Sequence, residues 1–224
     1  TVDDTTLFAG TYTEDVLWDS TGTMVDIDGN VYQTVKIGDQ WWMMENLKVT
    51  HYRNGAPIDH VTDGTTWAGL TTGAYCDYDN DPVNVPVYGR LYNWYAASDS
   101  RELAPDGWRV PSENDMQILS DYLGGDVNAG GKLKEEGLDH WISPNTGATN
   151  LSGFTALPAG LRDYNTNFSL MGEYTTYWTT TSLNSWQARG RNLFYDSAEF
   201  GLTTTAKFGG LSIRVGRGTH QENG

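Results

Sequence analysis

The sequence predicts an α+β domain built from short antiparallel strands, two helices and long loops. Three observations carry that reading. The last quarter, from Tyr177 to Arg217, breaks into extended runs separated by turns bearing Gly, Ser and Asn. Residues 24–50 hold two turn pairs, Asp28-Gly29 and Gly38-Asp39, flanked by runs of alternating polarity. Pro111 and Ser112 open a stretch with apolar residues at helical spacing, which Gly124-Gly125 closes.

Composition sets the outer limits. The 224 residues include 26 Gly, 9 Trp and 13 Tyr, and helix formers do not dominate, which favours strand and loop over helix. A formal net charge of -15 argues against nucleic acid, whose phosphates require Lys and Arg, and against an anionic membrane surface. An acidic, soluble surface accounts for most of that charge by itself. Cys76 is the sole cysteine, so no intramolecular disulfide or cysteine-built zinc site can form. No apolar run approaches the length of a membrane span.

Residues 1–23 are polar and rich in Thr and Asp, and read as an N-terminal arm with one or two short strands. Such an arm either caps the main sheet or pairs with another subunit by strand addition. Residues 24–50 read as a three-stranded meander in which Trp41 and Trp42 place one indole on each face. Residues 51–87 form a long loop region rich in Gly, Asp and Pro. Within it Asp77, Asp79 and Asp81 alternate, as oxygen ligands of a calcium loop would; a solvated acidic turn before Pro82 explains them equally.

Tyr88 to Ala97 reads as a first helix, with Leu91, Trp94 and Tyr95 on one face. In the second, Ser112 and Asp115 form a capping box, and Met116, Leu119 and Leu123 form the apolar stripe. Both stripes fit a core better than a cofactor box. Residues 126–175 read as loops and short strands, with Phe154 to Arg162 extended. Three strands follow at Trp178 to Ser182, Arg191 to Tyr195 and Leu211 to Val215. In the last, Leu211, Ile213 and Val215 share one face, and Ser212 and Arg214 the other. His51, His60, His140 and His220 are scattered, with no pair at metal-ligand spacing.

Several segments occur in a telling order: DIDGNVYQTVKIGDQWWMMENLK, YGRLYNWYAA, DGWRVPSENDMQIL, GFTALPAGLR, YWTTTS and GLSIRVGR. Together they resemble the Fibrobacter succinogenes major paralogous domain, a bacterial secreted and surface family, over roughly Val25 to Arg217. WRVPSEND and SIRVGR are also similar to the formylglycine-generating-enzyme type of C-type lectin-like fold. That resemblance implies a ligand-binding domain over 24–217 and a tail over 218–224.

Enzymatic members of the wider group oxidise a substrate cysteine with copper held by a cysteine pair. With Cys76 alone, that pair is missing, and no other catalytic constellation is visible. The resemblance instead implies a non-enzymatic adhesin or receptor-binding module at the cell surface or outside the cell. Some relatives of this kind carry a C-terminal meander diversified by retroelements. The expected ligand-binding residues are Leu183, Asn184, Trp186, Arg189, Asn192, Phe194, Asp196 and Leu202, an aromatic and Arg-bearing patch amid small polar residues. In the competing reading, Trp186 and Phe194 close the core. Expected partners are a protein or glycan target and, through residues 1–23, a pilus or envelope carrier; nucleic acid and membrane insertion are not expected. The alternative is a fibre subunit with no ligand of its own.

Overall fold

A computed structural model of the chain describes residues 16–218. Most of the predicted arm, the tail beyond Gly218 and His220 lie outside those residues. The N-terminal meander is formed by β1 (Ser20–Val25), β2 (Val31–Ile37) and β3 (Gln40–Met43), all antiparallel. Its first strand begins at Ser20, inside the stretch read as an arm, with Thr21 and Thr23 opposite Val35 and Gln33. The end of that stretch thus joins the meander as its outer strand. Leu17 and Trp18 pack against the core, and the Leu17 amide donates to Leu151 O at 2.7 Å.

The Asp28-Gly29 turn is organised by Asp26. Its buried carboxylate accepts from the amides of Asp28 and Asn30, the Asn30 side chain and the Tyr32 hydroxyl at 2.7–3.0 Å. Gly29 sits at φ +81°, where a side chain would be strained. Trp42 is fully buried and Trp41 half-buried, so the two indoles do take opposite faces.

The long loop region carries local structure: β4 (Asp59–His60), α1 (Gly64–Ala68), β5 (Ala74–Cys76) and α2 (Val85–Tyr88). The helix expected over Tyr88 to Ala97 is not continuous. Gly89 at φ +73° ends α2, residues Leu91–Tyr92 form β6 against β5, and Asn93 then caps the four-residue α3 (Trp94–Ala97). The Asn93 side chain satisfies the Ala96 amide at 3.0 Å, so a new helix starts where the sequence pattern suggested an old one continuing.

The second helix, α4 (Glu113–Tyr122), has the expected capping box of Ser112 with Asp115 and buries Met116 and Leu119, with Leu123 at its C-cap. Directly after it comes α5 (Asp126–Leu133), in a stretch read as loop. Gly130 and Gly131 lower its helix propensity but let two backbones approach. A side chain at Gly130 would press into the Glu199 carbonyl, and one at Gly131 into that of Gly147.

The central sheet has the order β11-β10-β9-β7-β8, from β7 (Ala159–Arg162), β8 (Phe168–Met171), β9 (Tyr174–Ser182), β10 (Gln187–Phe194) and β11 (Gly201–Ala206). It separates two apolar cores. Tyr177 and Leu193 face one, with Phe154, Met116 and Leu119; Trp178 and Ala188 face the other, with Tyr92, Trp108 and Ile213.

The third strand of the meander is β11, not Leu211 to Val215. That run instead crosses behind the sheet, bridging Tyr92 and Tyr177, and hands over to β12 (Gly216–Gly218), which pairs with β3. Both of its faces are buried, so Ser212 and Arg214 do not form a solvent side. Arg214, Arg191, Arg162 and Lys134 are all buried cations, each held by several carbonyl or carboxylate oxygens.

Candidate functional site

Alternation along β10 sorts the residues expected at the binding surface. Leu193 is fully buried, while Phe194 beyond it is 39% exposed. Asn192 is half-buried and Asp196 exposed. The turn between β9 and β10 carries Leu183 at 46% and Trp186 at 59% exposure. Neither large side chain closes the core.

Asn184 shapes this turn. Its Oδ1 accepts from the amides of Trp186 at 3.0 Å and Gln187 at 2.8 Å, and its Nδ2 donates to Gln187 Oε1 at 3.0 Å. The amides of Leu183 and Asn184 both reach Gln187 O. This is the local side-chain-to-backbone bonding that favours Asn in turns, and it holds Leu183 and Trp186 out in solvent.

Strand register divides the remaining residues between two faces. Asn192 and Phe194 pair with Thr176 and Tyr174 on one side, where the Phe194 and Tyr174 rings lie 4.5 Å apart. Leu202 pairs with Arg191 and Arg189 with Thr204 on the other, next to α4. Arg189 donates to Thr204 Oγ1 at 2.8 Å. The eight residues thus form a discontinuous rim: Leu183, Asn184 and Trp186 at the turn that opens β10, Phe194 and Asp196 at its other end, and Arg189 and Leu202 on the face opposite Asn192 and Phe194. Asn192 also fixes its neighbour, because a side chain at Gly201 would strike Asn192 Oδ1.

Behind the rim sits Lys134. Its ammonium donates to the carbonyls of Thr146, Phe194 and Ser197 at 3.0, 2.9 and 2.8 Å, so three N–H groups meet three acceptors. Burial pushes it down to about 8, and the charge of Asp196 opposes that shift. Arg191 plays the same part on the helix side, donating to Glu113, Gln117, Asp126 and the Phe200 carbonyl. Nothing in the sequence pattern signalled either anchor.

The acidic run does not converge. Asp77 is buried and paired with Arg90, Asp81 Oδ1 accepts from the Val83 amide at 3.0 Å, and Asp79 is exposed. Among the described residues no group of three or more His, Cys, Asp or Glu side chains is placed to hold a metal ion. His51 bonds Asp28, His140 bonds Glu135, and His60 stacks on Tyr75.

A match to the family described as the Fibrobacter succinogenes major domain spans residues 35–215. The chain belongs to that family. No curated protein and no solved structure matches it.

In this Fibrobacter succinogenes major domain, the segments on which the resemblance is read lie in the frame rather than the rim. Arg214 of SIRVGR meets Asn46 of MMENLK and the Phe154 and Thr155 carbonyls of GFTALP. Its guanidinium lies over the Phe154 ring at 4.6 Å and the Tyr177 ring of YWTTTS at 5.7 Å. Four of those segments therefore meet at one buried guanidinium.

Proposed function

We propose that this domain is a non-enzymatic ligand-binding module of adhesin or receptor-binding type, displayed outside the cell, that grips its target with the β9-β10-β11 rim. The observation that carries the reading is the exposure of four large apolar side chains: Leu183 and Trp186 in the β9–β10 turn, Phe194 beside the fully buried Leu193 on β10, and Leu202 on β11. Large apolar side chains that add nothing to the core fit a partner surface. Asn184, Arg189, Asn192 and Asp196 supply polar contacts among them, as adaptable recognition surfaces do. The frame beneath, pinned by Lys134 and Arg191, would keep its shape while rim side chains change.

Several features support the finer parts of this reading. Two main helices, small sheets and long loops agree with a C-type lectin-like fold of the formylglycine-generating-enzyme type. Cys76 is buried and its thiol is pushed up to about 12, so it is poorly suited to redox or metal chemistry. Diversification within the segment encoding residues 180–215 would have to spare its buried positions, such as Arg191, Leu193 and Leu211 to Val215, and act on the rim. A near-copy of that segment beside a reverse transcriptase gene, differing mainly at adenines, is the DNA signature to look for.

The second reading is a fibre subunit, favoured by β1, which among the described residues has a strand neighbour on one side only. A free strand edge is a template for strand addition by a carrier. Immobilising the full chain and a Trp186→Ser/Phe194→Ser variant on beads and challenging both with fluorescent bacterial and epithelial cells separates the readings. Adhesion that the variant loses supports the rim. Equal adhesion of both, or of neither, sinks it.

A further inference from the structure

Away from the rim, a cleft of about 490 Å³ opens between α3, the loop after it and the Arg109–Val110 segment. This volume falls within the roughly 300–1,000 Å³ of small-ligand sites. We propose that the cleft binds a neutral saccharide. The inference does not depend on the rim reading, because none of the eight rim residues lines the cleft.

The lining is mixed in a specific way. Trp94 supplies an aromatic wall, with Ala97, Leu103 and Val110 as small apolar neighbours. Ser98, Ser100 and Thr180 bring hydroxyl groups, and Asp99, Glu102 and Arg109 bring planar ionic groups. The indole Nε1 is already committed to Thr179 O at 3.0 Å, and the Lys207 ammonium covers the ring at 4.1 Å. What Trp94 offers the cleft is therefore apolar surface. A sugar ring has the matching character, with C–H groups for an aromatic wall and hydroxyls around its edge.

Charge pairing selects neutral ligands over ions. Asp99 is bound by Arg101 through two nitrogens at 2.8 and 2.7 Å. Glu102 pairs with Arg53, and Arg109 with Asp115 at 2.6 Å. With each charge already balanced by its partner, an ionic ligand would find no unpaired charge in the cleft to neutralise. A carboxylate has about four lone-pair positions, so each keeps acceptor capacity for a hydroxyl donor while its charge stays balanced. The loop itself is held in shape: Glu102 sits at φ +55°, its amide donates to Asp99 O at 2.9 Å and its carbonyl accepts from the Arg53 amide at 2.8 Å. Strained, well-tethered residues of this kind are a common feature of ligand clamps.

The test is saturation-transfer NMR on the full chain with methyl β-D-glucopyranoside, methyl β-D-galactopyranoside, methyl α-D-mannopyranoside, the methyl glycoside of N-acetylglucosamine, and cellobiose. At least one should receive saturation and shift the Trp94 indole N–H resonance. Ser100→Trp, which fills the cleft from an exposed position, should weaken that binding about tenfold or more with the melting temperature unchanged. Phe194→Ala should leave it intact. The proposal is overturned if no sugar in the panel binds, or if Ser100→Trp binds as tightly as the parent. A sugar lost in Phe194→Ala and kept in Ser100→Trp would belong to the rim and would equally overturn the cleft.

Discussion

Arg214 donates from Nε to the side-chain oxygen of Asn46 at 2.7 Å, joining residues 168 positions apart. The same guanidinium reaches the carbonyls of Met43 and Thr155 at 3.0 and 2.9 Å, with a further bond to Phe154 O at 2.5 Å. Asn46 passes the link on to Tyr88 O at 2.8 Å and Ser212 Oγ at 3.3 Å. One buried side chain thus ties the N-terminal meander, the segment before β7 and the last crossing of the chain.

Removing that hub should be costly. Arg214→Met keeps much of the apolar stem but strands four buried acceptors, each carrying a desolvation penalty of about 1–3 kcal/mol. We expect a loss of about 3–5 kcal/mol in urea unfolding, the range for breaking a buried charged network. A loss below about 1 kcal/mol would mean that the surrounding carbonyls find other donors.

Leu211→Ala tests the apolar counterpart. Leu211 is 2% exposed and packs among Tyr92, Trp178 and Ile213. The expected cost is roughly 2–5 kcal/mol, as for other buried large-to-small changes.

Gly131→Ala probes the helix that the sequence concealed. Alanine raises intrinsic helix propensity by about 1 kcal/mol, which taken alone would stabilise α5. Here the added methyl would meet the Gly147 carbonyl, backbone that cannot swing aside. The variant should therefore unfold at lower denaturant than the parent, and a rise in stability would show that α5 has room to shift.

How far the chain could be read in advance follows from which interactions are local. The Ser112–Asp115 capping box and the Asp28-Gly29 turn are set by neighbours within a few residues, so both appear where the pattern put them. The outward placement of Phe194 was legible because alternation against Leu193 needs no knowledge of the partner strand. Leu202 was harder. Its face depends on pairing with Arg191, which only the register of β10 with β11 decides. Arg214 misled because alternation assigned a polar residue to solvent, whereas distant carbonyls satisfy it inside. The cleft beside Trp94 draws on residues 94–110 and Thr180, and no local pattern brings those together.

At the β9–β10 turn, shape and contact should separate by mutation. Asn184→Ala removes the acceptor for the Trp186 and Gln187 amides, and should cost about 1 kcal/mol and speed hydrogen exchange at those two amides. Leu183→Ser and Trp186→Ser remove exposed side chains only, and should stay within about 0.5 kcal/mol of the parent. If Trp186→Ser proved as destabilising as Asn184→Ala, the indole would be part of the frame and the rim would lose its most exposed apolar group.

Lys134 gives the rim a pH signature. Its ammonium in the folded chain is pushed down from the ordinary 10.5 to about 8. Below about pH 8 both folded and unfolded chains carry the proton, and the cost of burying the charge is felt in full. Between about 8 and 10.5 the unfolded chain still holds a proton that the folded chain has released. The unfolded state binds more protons there, so the contribution of Lys134 to stability rises with pH, by about 1.4 kcal/mol per pH unit at most. Lys134→Met leaves the carbonyls of Thr146, Phe194 and Ser197 without donors and removes this titration. Urea unfolding of both proteins at pH 7.5 and pH 10 cancels the alkaline effects they share. The parent's advantage over the variant should grow at pH 10. An advantage that shrinks would mean that the three carbonyls hold the proton on Lys134, keeping its folded pKa at or above the unfolded value.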